Sequence, residues 1–225
     1  MRTVILAGAL TLLVPMSVSA APIACPVDSL ADYTGLSPEG CFIGSAVLKD
    51  FSVAAGATID PVNVLVTPLA SPSMFGLQFD VNESAGPNDL LSLLLRYTVT
   101  QAIVGANRLT MTGAAATDDG VVTAVEDKCL GASFAGDHPS SGCANQLTHI
   151  ALVSEIDTVV PDPASFPVES FFDVFTEIVV DGGTTGSAEL RGAVTNEFSA
   201  RAASEPVTLL LLGPGAAALA RRRRC

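Results

Sequence analysis

Positive charge is what this chain has least of. Eleven Lys and Arg stand against twenty-three Asp and Glu, a formal net charge of −12 over 225 residues. Five of the eleven lie at the two ends, at Arg2 and at Arg221, Arg222, Arg223 and Arg224, so residues 21–203 hold six basic side chains against twenty-two acidic ones. A body that acidic repels phosphate backbones and anionic headgroups, because neutralising phosphates takes clustered Lys and Arg. No nucleic-acid partner is therefore expected. Histidine is equally scarce, with His138 and His149 alone. His138, just before Pro139, reads as a solvated loop side chain, and His149, among Leu147, Ile150 and Leu152, as an ordinary strand-face residue. The run Gly131 to Gly136 is one residue too long for a G-x-S-x-G nucleophile elbow, and no glycine-rich phosphate loop is present. With no internal repeat and no catalytic constellation, the expectation is a non-enzymatic protein without cofactor or metal.

What the chain does have lies first at its ends. Arg2, an apolar stretch over residues 4–14 and the small-residue triplet Val18-Ser19-Ala20 have the order of a secretory signal peptide over residues 1–20. Pro15 argues against a buried N-terminal helix, and Pro22-Ile23-Ala24 before Cys25 lacks the Leu of a lipoprotein signal. Cysteine usage agrees with export, since an oxidising compartment favours paired thiols. Of five cysteines, Cys25 with Cys41 and Cys129 with Cys143 each close a short loop rich in turn residues, and Cys225 stands alone at the end. Four cysteines allow three pairings, of which the local one is preferred, and spacings far from C-x₂-C disfavour zinc.

At the other end, Ser204-Glu205-Pro206 precedes an uncharged stretch over residues 207–220, which is followed by Arg221, Arg222, Arg223 and Arg224. Pro206 suits the first turn of a helix. Arginines prefer the cytoplasmic side, which places the body outside. This tail, residues 204–225, resembles the PEP-CTERM sorting signal in Glu205-Pro206, in the Thr208 to Gly213 run and in its arginine cluster. It departs at Ser204, at Pro214 inside the helix and at Cys225 after the arginines. The resemblance implies that an exosortase-type enzyme cuts near Glu205-Pro206 after transient anchoring in the bacterial inner membrane, and passes the body to the cell surface or extracellular matrix. Fourteen residues span only about 21 Å as a helix, against a hydrocarbon core of about 30 Å, which suits a temporary tether.

Residues 21–203 are expected to form one exported all-β domain, an antiparallel β-sandwich of jelly-roll or immunoglobulin-like type. Strand-like runs rich in Val, Ile, Phe and Thr cover residues 42–53, 58–67, 74–81, 90–100, 108–114, 120–126, 146–154, 168–180 and 188–198. Gly, Pro, Asn and Asp punctuate the intervals. Asp89 could instead cap a short helix over residues 90–95, but the strand chemistry of residues 96–100 favours a strand throughout. Asp118-Asp119-Gly120, Asp127 and Asp137 are the nearest thing to a calcium site, without the D-x-[DN]-x-[DN]-G pattern. Asn82-Glu83-Ser84, with Asp80 before it, is a glycosylation sequon that requires Asn82 on an exposed turn. The functional expectation is a non-catalytic surface or matrix protein contributing to exopolysaccharide or biofilm structure. The alternative is a glycan-binding or adhesive sandwich, calcium-dependent if the acidic turns take a cation.

Overall fold

The structure is a computed structural model that describes residues 21–161 and 163–200. Residues 1–20 and 201–225, where the expected signal peptide and sorting tail fall, lie outside the described residues. The described residues are all-β, with thirteen strands in one hydrogen-bonded network, antiparallel except for one short ladder. In order they are β1 (Ile23–Ala24), β2 (Asp28–Ser29), β3 (Cys41–Ile43), β4 (Ala46–Val53), β5 (Leu65–Ala70), β6 (Met74–Ala85) and β7 (Leu90–Met111). Then follow β8 (Ala114–Thr117), β9 (Val121–Leu130), β10 (Gln146–Ser154), β11 (Thr158–Val159), β12 (Ala164–Asp181) and β13 (Ser187–Ala200).

The network becomes two layers because its longest strand changes neighbours. β7 keeps β12 on one side throughout, with Leu90↔Asp181 at one end and Asn107↔Ala164 at the other. On its other side, residues 95–100 pair with β4, while residues 104–111 pair with β13. The exchange occurs at Gln101, which takes φ 65°, and the register of β12 slips between Glu169 and Phe171 at the same place. A bulge of this kind bends a strand and raises its twist, which is how one strand serves two sheets. One layer runs β11-β10-β9-β12-β7-β4-β3-β1, and the other continues from β7 through β13, β6 and β5 to β2.

Period-2 patterning sets the core. Leu93, Leu95, Tyr97 and Val99 alternate inward along the first half of β7, each at most 1 % exposed. From the facing layer Phe198 meets Phe172 with ring centroids 5.2 Å apart. Burying each such side chain contributes about 1.5–3 kcal/mol.

Several elements depart from expectation for local reasons. Residues 90–100 and 108–114 are parts of one bent strand and its turn, because the chain bends at Gln101 and residues 104–107 then keep their pairing with β12 and β13 instead of ending the ladder. Residues 58–67 begin as a 3₁₀ turn, Pro61–Asn63, capped by Asp60, whose side chain accepts from Val62 N, and only then enter β5. A five-residue helix, α1 (Leu30–Thr34), was not expected. Ser29 caps it by accepting from Asp32 N at 3.2 Å, and Leu30 and Tyr33 bury against the core.

Candidate functional site

The polar chemistry of the protein gathers between the layers, on β9. Glu126 and Lys128 stand two residues apart and so share a face with Val122 and Ala124, which point into the core. Both charged side chains are 0 % exposed. His149 on β10 is the register partner of Glu126, so it joins the same face. Asn107, on the second half of β7, approaches from the other layer. Its Nδ2 donates to Glu126 Oε2 at 2.5 Å and lies 3.1 Å from His149 Nδ1. Lys128 Nζ donates to the same Oε2 at 3.1 Å and lies 3.3 Å from the same Nδ1. Beside this group, Asn196 of β13 donates through Nδ2 to Thr176 Oγ1 at 2.7 Å and to Tyr97 Oη at 3.3 Å.

Burial governs the electrostatics here. It would raise the Glu126 carboxyl, but the charge of the Lys128 ammonium beside it outweighs burial and holds the group below its usual range. The Lys128 ammonium is pushed down by the same burial, with Glu126 opposing. The Tyr97 phenol is raised well above its ordinary value by burial and then by the charge of Glu126. No protein donor reaches Glu126 Oε1, Asn107 Oδ1 or Asn196 Oδ1. The cluster can move protons among its own members, but its charged groups are closed to any substrate in solution.

A second polar centre lies on the opposite face of the same layer. Asp173 is 0 % exposed and accepts from Arg96 Nη2 at 2.7 Å, Thr98 Oγ1 at 2.6 Å and Phe134 N at 3.1 Å. The covering segment is held by the Cys129–Cys143 disulfide, and Phe134 packs on Phe175 with centroids 4.8 Å apart. The bonds of Asp173 are all internal, so this centre fastens a loop to the sheet. Beyond the end of the β9–β12 ladder, a cavity of about 330 Å³ opens among Leu130, Asn145, Gln146, Ser165, Phe166 and Glu169. A groove of about 310 Å³ with smaller side chains, Ser84, Thr117, Ser187 and Glu189 among them, crosses β13 on the other layer.

The residues singled out by sequence fall as follows. Cys25 is bonded to Cys41 and Cys129 to Cys143. His138 is exposed and caps the 3₁₀ turn Pro139–Ser141 by accepting from Ser140 N. The acidic residues weighed for calcium serve separate partners. Asp119 accepts from the N–H groups of Thr184, Thr185 and Gly186, and the Thr184 hydroxyl foremost holds its carboxyl far below the usual range. Asp127 accepts from Gln146 and Thr148 on the outer face of β9, and exposed Asp137 pairs with Arg96 at 3.7 Å. Among the described residues, no three His, Cys, Asp or Glu side chains gather as metal ligands. Asn82 is exposed, but it sits inside β6 opposite Arg191 and not on a turn, because the β6–β13 ladder continues to Ala85. Glu205, Pro206 and the four arginines lie outside the described residues; among the described residues no helix is long and apolar enough to cross a membrane.

No family model and no curated protein matches the chain. Among solved structures, TmCBM61 in complex with β-1,4-galactotriose aligns with 65 % of this chain and 87 % of that one, at 14 % identity and a TM-score of 0.29. At that score the likeness bears on neither site nor ligand.

The buried cluster escaped sequence reading. Residues 125–128 read Val-Glu-Asp-Lys, which looks like a solvated strand end. The available signal was the period-2 phase: Val122 and Ala124 share the face of Glu126 and Lys128.

Proposed function

We propose that residues 21–203 are an exported, non-catalytic cell-surface or extracellular-matrix domain, a β-sandwich of jelly-roll or immunoglobulin-like type. In this reading the tail around Glu205-Pro206 is removed by an exosortase-type enzyme, and the body contributes to exopolysaccharide or biofilm structure. The observation that carries the non-catalytic part is the placement of Glu126, Lys128 and His149. Among the described residues, this grouping of acid, amine and imidazole is buried between the layers, whereas an enzyme acting on external substrate needs such groups in a cleft. Two disulfides support an oxidising destination. The test is the mass of the extracellular product made with native export machinery. A mature form lacking residues 1–20 and ending near Glu205 is expected, and persistence of Cys225 on that product would sink the sorting reading.

Glycan binding is the second reading, favoured by the cavity that sets Gln146, Asn145, Ser165 and Glu169 around Phe166. Its volume falls at the small end of ligand sites, and amide, hydroxyl and carboxylate groups suit sugar hydroxyls. A glycan array is expected to give signal that drops about tenfold or more in Glu169→Ala. A flat array for the unsubstituted protein, with and without calcium chelator, removes this reading for the sugars sampled.

A further inference from the structure

The core cluster brings together a primary amine, a primary amide and a carboxyl group away from bulk water. The geometry points to a covalent outcome: an intramolecular isopeptide bond between Lys128 Nζ and Asn107 Cγ, formed with Glu126 as the proton carrier. Neither the sorting reading nor the glycan reading is needed for it.

Proximity is the first argument. Lys128 Nζ and Asn107 Nδ2 share the same two acceptors, Glu126 Oε2 at 3.1 and 2.5 Å and His149 Nδ1 at 3.3 and 3.1 Å. Atoms held on one pair of acceptors are neighbours, so the amine lies beside the amide it would attack. Sheet registers on both strands fix the two side chains there, which replaces the entropy cost of a bimolecular encounter.

Protonation is the second. In water an amide resists an amine because the amine is an ammonium ion. Lys128 is 0 % exposed and burial favours its neutral form; Glu126 Oε2, 3.1 Å from Nζ, is in place to take the proton, and the depression of its carboxyl, which the ammonium causes, fades as that ammonium is neutralised. That transfer also answers what the cluster lacks. Glu126 Oε1 and Asn107 Oδ1 are both acceptors without a protein donor, and a carboxylic proton on Glu126 supplies one that can polarise the Asn107 carbonyl.

The step balances without an added reagent. Lys128 passes its ammonium proton to Glu126, and its free amine attacks Asn107 Cγ. The Nζ–Cγ bond forms and the Cγ–Nδ2 bond breaks. His149, with its proton on Nε2, can relay a proton from Nζ to Nδ2 through Nδ1. Ammonia departs, takes the proton back from Glu126 and leaves as ammonium, which returns Glu126 to a carboxylate. Nothing is oxidised or reduced. The product is a covalent rung from β7 to β9 through the core.

The test is a non-reducing digest of the oxidised full chain, made with its export signal, read by mass spectrometry. The peptide containing Asn107 is expected joined to the peptide containing Lys128, at their summed mass less one ammonia and with no tryptic cut after Lys128. The same digest reports folding through the loss of two hydrogens in the peptide that holds Cys25 and Cys41 and in the one that holds Cys129 and Cys143. Protein that carries both disulfides but yields the Lys128 and Asn107 peptides separately, at full mass, overturns the proposal. Asn107→Ala leaves the charge pair in place and must abolish the link. Glu126→Gln is expected to abolish it too, and a link surviving in that variant would rule out Glu126 as proton carrier.

Discussion

In Asn107→Ala protein, where no Lys128–Asn107 link can form and the ion pair remains, replacing Lys128 with methionine is expected to destabilise the fold by about 3–5 kcal/mol, because it leaves the Glu126 carboxylate buried and unpaired. Methionine fills much the same volume, so the loss is electrostatic and not a cavity effect. Adding Glu126→Gln in the same chain removes the orphaned charge and should restore most of that loss, since paired removal of a buried ion pair is often close to neutral. Both variants lack any Lys128–Asn107 link, so their difference in urea unfolding reads the carboxylate alone. The pH response should change sign between Asn107→Ala and Asn107→Ala/Lys128→Met. With the ammonium in place the folded Glu126 carboxyl lies below its unfolded value, so its contribution is present above the unfolded range and is lost as pH falls through the folded one. With Lys128→Met added, burial acts without the ammonium and raises the same group. The folded state then binds the extra proton, and stability relative to Asn107→Ala should improve as pH falls toward the carboxylate range. An Asn107→Ala/Lys128→Met variant that matches Asn107→Ala at neutral pH, with an unchanged pH profile, would show that the pair contributes nothing.

The same residues show where sequence reading reaches its limit. Strands announced themselves through local patterning: residues 146–154 coincide with β10, and alternation along residues 93–99 marks the inward face of β7. Turn chemistry located most punctuation, and loop length indicated the two disulfides. The bend at Gln101 was not legible, because a strand that exchanges one neighbour for another is decided by pairing over long sequence distances. The cluster was hidden for the same reason. Glu126 and Lys128 reveal their common face only once the phase of β9 is fixed, His149 joins through its register with Glu126, and Asn107 arrives from the other layer. His149 was correctly placed on a strand face, but which face was a tertiary question. The acidic turn at Asp118-Asp119 illustrates the converse: its carboxylate looked available for a cation and is instead occupied by the amides of residues 184–186.

Reducing both disulfides is expected to cost about 6 kcal/mol, roughly 3 from each closed loop in the chain-entropy account. The loops are short, with sequence separations of 16 and 14. Set against a total of about 5–15 kcal/mol for an ordinary domain, that loss takes the fold to the edge of stability. With a urea m-value near 2 kcal/mol/M, the midpoint should fall by about 3 M on adding reductant. The two bonds should also fail differently. Cys25–Cys41 secures the edge ladder in which Ile23 pairs with Cys41, so its loss should fray the N-terminal segment first. Cys129–Cys143 holds the cover over Phe175 and Asp173, and freeing it exposes a carboxylate whose partners include the Phe134 amide. Amide exchange should therefore rise at Phe134 and at Gly136 in Cys129→Ala/Cys143→Ala, while the Phe172–Phe198 core stays protected. A combined loss under about 1 kcal/mol would mean that packing alone sustains the domain. The expected larger value means that the chain reaches full stability only where its thiols can oxidise.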